Sequence, residues 1–217
     1  MPRERLRLLG HPIHPKFEDV TGTKAEIRKQ LGLPADATVA LLMAGGEGGG
    51  KLLPTTLGLA RAGLDFHLVV VTGRNAALKQ KLEELAPSLP TPMTVLGFRN
   101  DVPELMRAAD LLVTKAGPGT IAEAAVTEVP VVVYDYVPGQ ERGNLDYVRT
   151  NGIGVVALTT AEVVQSVARI VHNQERLAKM RAQQSAVAPR GSSRRIAELI
   201  AEIATKGRPQ QTVVAAV

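Results

Sequence analysis

The segment "ATVALLMAGGEGGGKLLPTTLGLARAG", residues 37–63, indicates the class of fold because an apolar run leads through a glycine cluster into a helix-like pattern. The run 37–44 is typical of a buried strand, and the apolar spacing after Lys51 is typical of a helix. Backbone N–H groups at such a junction can cradle an anion. The segment therefore predicts a strand, a loop and a helix. The loop is either a phosphate cradle or a turn without a ligand, for which glycine is also suited.

Two nucleotide-binding motifs can be compared with this loop. Counted from Gly45, it reads G-x-x-x-x-G-K, but Leu52 stands where a P-loop needs Ser or Thr as a Mg²⁺ ligand. Glu47 lies inside the loop, where its carboxylate would repel a β-phosphate unless it points away. The dinucleotide pattern G-x-G-x-x-G has no correct register here. The loop alone therefore does not predict an ATPase or a dinucleotide site.

The rest of the chain repeats the alternation of apolar runs and helical patterns. Strands are predicted at 38–43, 66–72, 93–97, 110–114, 129–135 and 152–157. Helices are predicted at 51–62, 75–86, 102–108, 119–127, 141–150, 160–172, 174–186 and 192–205. Continuous Val/Leu runs between helices are what a parallel sheet covered on both faces requires. We expect an α/β fold with a Rossmann-like, doubly wound parallel sheet.

The loops that follow these strands contain most of the unusual residues. They are the segments 45–50, 72–75, 97–101, 115–120 and 135–144. Because ligands bind such sheets outside the carboxyl ends of the strands, these loops predict one pocket. Local structure offers alternatives without a ligand: Thr120 and Glu123 can form a capping box, Asp101 can cap a helix, and Ser192 or Ser193 can cap the last helix.

Composition narrows the function classes. The chain of 217 residues has a net charge of +5, but only 3% aromatic residues and no Trp, so platforms for stacking nucleic-acid bases are scarce. We expect no nucleic-acid partner, and we expect the basic excess to serve phosphates of a small ligand or an anionic membrane surface. The absence of Cys excludes disulfides and a Cys nucleophile. The charged start "MPRERLRLLG" has no signal core, and no apolar run approaches the length of a membrane span. We expect a cytoplasmic protein, with peripheral attachment to the inner face of the membrane as an option.

Several motifs together resemble one family. They are "TKAGPGTIAEA" (114–124), "VPVVVYDYVPGQERGNLDYV" (129–148), "GHPIHPKF" (10–17), "MAGGEGGG" (43–50) and "LGFRNDVPELMRAADLLVTKAG" (96–117). The combination resembles the carboxyl-terminal half of a GT-B glycosyltransferase of family 28, and is most similar to monogalactosyldiacylglycerol synthases and processive diacylglycerol glucosyltransferases. The resemblance covers residues 10 to about 190. The KAGPGT and PGQE-x-GN motifs are far more specific together than any glycine loop alone.

The resemblance implies a UDP-galactose or UDP-glucose donor held without a metal ion or other cofactor. Backbone amides at a helix start would then replace the metal at the diphosphate. The implied contacts are Glu123 with the ribose; Phe98 and the backbone of Arg99 with the uracil; Gly117, Pro118, Gly119 and Thr120 with the diphosphate; Gln140, Glu141 and Asn144 with the hexose; and Gly45, Gly46 and Gly48 along the cleft. His14 stands near the diphosphate where relatives usually carry Arg, which predicts weaker stabilisation of the leaving group. The alternative for His14 is an ordinary linker residue.

The resemblance also suggests a division of the chain. Residues 1–17 would be the remnant of a linker from a missing acceptor domain, 18–190 the UDP-sugar-binding domain, 191–205 a final helix and 206–217 a mobile tail. The final helix would then lack a partner for its apolar positions Ile196, Leu199, Ile200 and Ile203.

Three functional hypotheses follow from this organisation. The chain is the donor half of a glycosyltransferase that moves a hexose to diacylglycerol by inversion, inactive without its acceptor domain, which another chain could supply. Alternatively, it is a UDP-sugar-binding module without catalysis. The third and disfavoured hypothesis is a GT-B-like nucleotide-sugar epimerase. No catalytic residue can be named from this sequence, because in such enzymes the proposed base belongs to the acceptor domain.

Overall fold

The computed structural model describes residues 6–46 and 50–206, in which strands and helices alternate along the chain. The strands are β1 (Val39–Met43), β2 (His67–Val71), β3 (Met93–Leu96), β4 (Leu111–Lys115), β5 (Val131–Asp135) and β6 (Gly154–Val156). The helices are α1 (Lys24–Leu31), α2 (Leu52–Arg61), α3 (Ala76–Leu85), α4 (Val102–Ala108), α5 (Pro118–Thr127), α6 (Arg142–Thr150), α7 (Thr160–Val171), α8 (Gln174–Val187) and α9 (Ser192–Lys206). Single 3₁₀ turns cover Pro15–Phe17 and Ala86–Ser88.

The strands form a six-stranded sheet in the order β3-β2-β1-β4-β5-β6. Each neighbouring pair is parallel, with helices as the crossover connections. This confirms the predicted Rossmann-like, doubly wound α/β fold, and every predicted strand is present with ends that shift by two residues at most. The order of the strands reverses direction between β1 and β4, which is where a sheet of this type opens a crevice at its carboxyl edge.

The two faces of the sheet are buried in separate hydrophobic cores, and β1 contributes to both. Val39, Leu41 and Met43 belong to the core beneath α1, α4, α5 and α6. Ala40 and Leu42 point to the opposite core, beneath α2, α3 and α7. All five residues of β1 are buried, as expected for the period of two in a strand covered on both sides. This double coverage holds the carboxyl edge of the sheet rigid beneath the loops described below.

Helix α1 was not predicted from the sequence. It begins with a capping box in which the Thr23 side chain accepts from the Glu26 backbone and the Glu26 carboxylate accepts from the Thr23 backbone. The helix then supplies two cations to the carboxylate of Asp110: Lys24 at 2.8 Å and Arg28 at 2.5 Å. Burial alone would raise the pKa of Asp110, but the hydrogen bond and charge of Lys24 hold that pKa below its ordinary value. This cluster fastens α1 to the amino-terminal edge of the sheet.

The first and last described segments of the chain lie against each other. The Ser192 hydroxyl donates to the His11 carbonyl at 2.6 Å, and the Ser193 hydroxyl accepts from the Ile13 amide at 3.0 Å. The prediction that Ser192 or Ser193 caps the last helix is therefore wrong, because both hydroxyls are engaged with the amino-terminal segment. The guanidinium of Arg195 adds a bond to the Leu9 carbonyl at 2.9 Å.

Helix α9 exposes part of its apolar side, as the sequence predicted. Ile200 and Ile203 are 62% and 41% exposed, while Ile196 and Leu199 are half-buried. Residues 207–217, which make up all but the first position of the predicted tail, lie outside the described residues. Within the described ranges, none of the helices combines the length and the apolar content that a membrane crossing requires.

Candidate functional site

The loops that the sequence singled out meet at the carboxyl edge of the sheet. Across that edge, the loops after β3, β2 and β1 approach from one side, and those after β4 and β5 from the other. The reversal between β1 and β4 places Gly45 and Gly46 opposite the amino end of α5. The prediction for Gly48, like that for Glu47, falls outside the described residues. The candidate site is therefore the crevice between these two groups of loops.

A glycine of the loop after β2, Gly73, allows this loop to pack closely against the loop after β1. The Arg74 amide donates to the Gly46 carbonyl at 2.8 Å. A β-carbon at Gly73 would lie 2.2 Å from that same carbonyl oxygen, and Gly73 has φ +61°, so only glycine fits. Gly45 has φ +82° and open space around the position that a β-carbon would take. These contacts agree with a loop that keeps side chains out of the crevice.

Lys51, the lysine of the incomplete P-loop pattern, is bound by residues from other parts of the chain. Its ammonium group lies 3.4 Å from the Asp135 carboxylate and donates to the Leu158 carbonyl at 3.2 Å. The lysine thus connects α2 to the ends of β5 and β6. This engagement agrees with the rejection of an ATP-type P-loop from the sequence.

The loop after β3 presents Phe98 at the surface. Phe98 is 51% exposed, and the Arg74 guanidinium lies 4.8 Å from the centre of its ring. The Arg99 side chain is held by both carboxylate oxygens of Asp101, with the Nε–Oδ1 distance at 2.7 Å. This hydrogen bond from Arg99 lowers the pKa of Asp101. Asp101 takes the predicted N-cap position of α4 but makes no side-chain cap, because its carboxylate is committed to Arg99.

Helix α5 begins earlier than the capping-box interpretation requires. Its N-cap is Gly117 and its first residue is Pro118, so Thr120 already lies in the first turn. No side chain caps this helix. The predicted Thr120–Glu123 capping box is therefore wrong. An uncapped helix start offers its first backbone N–H groups, here those of Gly119 and Thr120, to an anion in the crevice.

Glu123 lies one turn further along α5 and is half-buried. Burial raises the pKa of its carboxyl group, and the nearby positive charge of Lys16 opposes that rise. The Lys16 ammonium also donates to the Asn100 carbonyl at 3.0 Å. Lys16 thus brings the Pro15–Phe17 turn, the loop after β3 and α5 to one place. Lys16 was not predicted as a site residue, since only its position within the "HPKF" motif distinguishes it in the sequence.

The three residues predicted to contact the hexose differ in their surroundings. The Glu141 carboxylate accepts from the Val137 amide at 2.7 Å and so closes the loop after β5. The Asn144 amide donates to the Ala116 carbonyl at 2.7 Å, which ties α6 to the residue before the N-cap of α5. Gln140 is exposed at the surface of the loop. The structure therefore brings Asn144 to the amino end of α5 and gives Glu141 a role in shaping its own loop.

Two histidines of the amino-terminal segment lie near this edge. His14 caps the Pro15–Phe17 turn, with its Nδ1 atom accepting from the Lys16 amide at 3.2 Å, as an ordinary linker residue would. His11 approaches α5 more directly: its Nε2 atom lies 3.8 Å from the place where a β-carbon of Gly119 would be. His11 was not predicted as a site residue from the sequence. Its position at the uncapped helix start makes it a candidate site residue.

A cavity of about 270 Å³ lies beside the amino end of α5. His11, Pro118, Asn144 and Tyr147 line it together with apolar side chains of α5 and the segment before α9, whereas Glu123 and Gln140 do not. Of the residues predicted to contact the hexose, Asn144 lines this cavity and Gln140 and Glu141 do not, and the predicted ribose contact Glu123 does not line it either. In the part of the chain that the structure describes, no three His, Asp or Glu side chains are grouped so that they could hold a metal ion. Metal independence stays a prediction.

Known proteins resemble this chain in sequence. The family described as "Glycosyltransferase family 28 C-terminal domain" matches residues 50–202. Monogalactosyldiacylglycerol synthase 3, chloroplastic, of Arabidopsis thaliana is 38% identical over 184 residues, which cover 81% of this chain and 39% of that protein. The chain thus spans between a third and two fifths of the length of such relatives.

Solved structures share the fold. WaaG, a glycosyltransferase involved in lipopolysaccharide biosynthesis, matches with a TM-score of 0.69 and 22% identity, covering 95% of this chain and 58% of the other. Anabaena Alr3699/HepE in complex with UDP-glucose matches with a TM-score of 0.62 and 19% identity, covering 89% and 56%. Both likenesses concern the fold, in which this chain corresponds to about half of the larger protein. The family is shown by the sequence match over residues 50–202: the chain belongs to glycosyltransferase family 28 and contains its carboxyl-terminal domain.

Proposed function

We propose that this chain is the donor-binding half of an enzyme that transfers a hexosyl group from UDP-galactose or UDP-glucose to diacylglycerol. The acceptor is suggested by the relatives that are named monogalactosyldiacylglycerol synthases. The donor class is suggested by the HepE complex with UDP-glucose, which has the same fold. Family membership in turn favours transfer over the epimerase hypothesis.

The observation that carries the proposal is the arrangement along α5. Its amino end has no side-chain cap, and Glu123 lies four residues beyond Gly119 on the same helix. At a rise of about 1.5 Å per residue, the two positions are about 6 Å apart along the helix axis. A nucleoside diphosphate carries its anionic groups next to a ribose diol. The backbone N–H groups would therefore take the phosphate oxygens, while the Glu123 carboxylate accepts from the ribose hydroxyls.

The remaining predicted contacts extend this arrangement in both directions. Phe98 offers an exposed apolar ring for the uracil, next to the backbone of Arg99. Gln140, Glu141 and Asn144 follow β5 and offer amide and carboxylate groups to the hexose hydroxyls. Gly45 and Gly46 leave the crevice open between these groups.

In the transfer step, an acceptor hydroxyl attacks the anomeric carbon as the bond to UDP breaks, which inverts the configuration. The helix start would stabilise the negative charge that develops on the departing diphosphate. We assign no metal ion to this role. The group that removes the proton from the acceptor hydroxyl belongs, on this proposal, to an acceptor domain or partner chain, which would also contact the membrane surface.

The exposed face of α9 supports a requirement for such a partner. Ile200 and Ile203 are exposed on α9, and Leu6 and Leu8 are exposed on the amino-terminal segment that packs against the start of α9. Exposed apolar side chains concentrated in two packed segments are typical of a surface that another domain covers. The second candidate function, a UDP-sugar-binding subunit without catalysis of its own, has the same site and differs only in this partner.

Calorimetric titration of the chain with UDP, uridine and ADP tests the proposed site. We expect UDP to bind, uridine to bind more weakly because it lacks the diphosphate, and ADP to bind more weakly because its base differs. Absence of saturable UDP binding at millimolar concentration would overturn the proposal. A second measurement, release of hexose from the two UDP-sugars by the chain alone and with a relative's acceptor domain, separates the catalytic half from the binding module.

A further inference from the structure

A second cavity lies at the opposite edge of the sheet from the proposed donor site. We call it the β6-edge cavity. It has a volume of about 440 Å³ and lies between the turn from α6 to β6 and the outer side of α8. Gly154, the first residue of β6, forms part of its wall. Gly154 pairs with Val131, the first residue of β5. The last residue of β5, Asp135, lies at the donor edge, so at about 3.3 Å per residue the two ends of this strand are about 13 Å apart.

The β6-edge cavity is lined by positive charge. Arg149, Arg176 and Lys179 line it, and no acidic residue does. Arg149 has one exposed partner on its own helix, Asp146, at 3.6 Å. Among the described residues, no carboxylate lies within ion-pair distance of Arg176 or Lys179. Three like charges around one cavity repel each other, and a bound anion would remove that repulsion.

The lack of partners is specific to this side of α8. Arg181 of the same helix lies 2.8 Å from the Asp110 carboxylate, which also holds Lys24 and Arg28. The cations of α8 are therefore neutralised by protein where they face the sheet edge and are left without a protein carboxylate where they line the cavity. Part of the excess of positive charge in the sequence therefore lies around the β6-edge cavity and not at the donor site.

The uncharged polar residues that line the cavity indicate which other groups the anionic ligand carries. Gln183, Asn151 and Thr150 bring amide and hydroxyl groups to the wall, and these match hydroxyl groups of a ligand. Gly154 packs closely against β5, since a β-carbon there would lie 2.3 Å from the Val131 carbonyl oxygen, so the wall carries no side chain at this position. The volume is in the range of small-molecule sites and is larger than a lone phosphate needs.

We propose that the β6-edge cavity binds the phosphate group of a small polyol phosphate, either a soluble sugar or glycerol phosphate or the headgroup of a glycerophospholipid. The cations pair with the phosphate oxygens, and the amides contact the polyol hydroxyls. The site is separate from the UDP site and does not depend on the proposed function, because no residue of the crevice lines it.

Calorimetric titration of the whole chain with sn-glycerol 3-phosphate, and flotation with vesicles of phosphatidylglycerol or of phosphatidylcholine, test this site. The test variant is the double substitution Arg176→Gln and Lys179→Gln. The matched control is Arg61→Gln with Lys81→Gln, which removes the same charges from exposed positions elsewhere. We expect the test variant to bind at least about tenfold more weakly, since each cation supplies a charge-assisted hydrogen bond. The control should bind as the unaltered chain does, and UDP affinity should be unchanged in both variants.

The outcomes separate the two sources of the phosphate. Binding of glycerol 3-phosphate that the test variant loses, without binding to phosphatidylglycerol vesicles, supports a soluble ligand. Binding of phosphatidylglycerol vesicles alone, also lost in the test variant and absent with phosphatidylcholine, supports a lipid headgroup. No saturable binding of either probe would overturn the proposal, as would an equal weakening in the test and control variants. If the unaltered chain does not bind UDP, the proposed function is contradicted, but the proposal for the β6-edge cavity is not.

Discussion

Replacing Glu123 with glutamine removes the charge of a half-buried carboxyl group while keeping its size and one hydrogen-bond acceptor. In the unliganded chain, burial raises the pKa of Glu123, so the folded state holds its proton more tightly than the unfolded state does. The free energy of unfolding is then highest below the pKa of the unfolded chain and falls as pH rises through the raised folded pKa. At neutral pH we therefore expect Glu123→Gln to stabilise the unliganded chain.

The same substitution should weaken UDP binding. An ionised Glu123 can accept hydrogen bonds from both ribose hydroxyls, each worth about 1.5–3 kcal/mol because the acceptor is charged. Glutamine keeps one neutral acceptor, so the loss amounts to about one charge-assisted bond. That corresponds to a dissociation constant larger by roughly 10- to 150-fold. Higher stability together with lower affinity is the combination that identifies a binding carboxylate.

Two measurements check this prediction: UDP titration calorimetry and urea unfolding of the unliganded chain, both at neutral pH. Glu84→Gln on the exposed side of α3 is the control, and we expect it to change neither quantity appreciably. Unchanged UDP affinity in Glu123→Gln would refute the assignment of this residue to the ribose. A lower free energy of unfolding would refute the argument from burial, because the carboxylate would then have a stabilising partner.

Four further predictions follow from the described contacts. UDP should bind equally well in EDTA and in Mg²⁺ by calorimetry, whereas a requirement for Mg²⁺ would contradict the role of the α5 amino end. Asp110→Asn should lower the free energy of unfolding in urea by about 3–5 kcal/mol and leave UDP affinity unchanged. Gly73→Ala should cost at least about 1–3 kcal/mol for the strained backbone and, through the clash with Gly46, also weaken UDP binding; unchanged melting would count against it. Lys16→Met should raise the pKa of Glu123 further, so that UDP affinity, followed by titration from neutral to acidic pH, begins to fall at a higher pH than in the unaltered chain.

The strands could be predicted because each belongs to a short apolar run. The inner strands β1, β2, β4 and β5 are almost entirely buried on both faces, whereas the edge strands β3 and β6 are half-buried. Helix α1 could not be predicted in the same way, because few of its residues are apolar and Ile27 alone contributes a buried hydrophobic side chain. Its other buried residue is Arg28, whose guanidinium is satisfied by the carbonyls of Ala108, Ala35 and Ala37. Those partners lie outside the helix, so the helix has no periodic pattern of apolar residues from which it could be predicted. The local signals were the capping box at Thr23 and the glycine that ends the helix, Gly32.

The parts of the candidate site that lie in sequence motifs could be predicted, whereas the residues that reach the site only through tertiary packing could not. The loops after β1, β3, β4 and β5 could be placed together because parallel strands share one carboxyl edge. His11 and Lys16 could not, because their proximity to Gly119 and Asn100 depends on how the amino-terminal segment packs against α9 and α4. A contact between residues 84 positions apart leaves no mark in a local pattern.

Helix α5 illustrates why one pattern can have two interpretations. Thr120 and Glu123 have the spacing of a capping box, but Pro118 at the first turn and the extended backbone of Gly117 start the helix three residues earlier than a Thr120 cap would. A capping Glu would face its own backbone near the helix start, whereas this Glu lies a turn beyond it. The earlier start therefore leaves both the first N–H groups and the Glu123 carboxylate without a local hydrogen bond. Burying that carboxylate costs stability in the unliganded chain, and a ribose diol that donates two hydrogen bonds would recover this cost on binding.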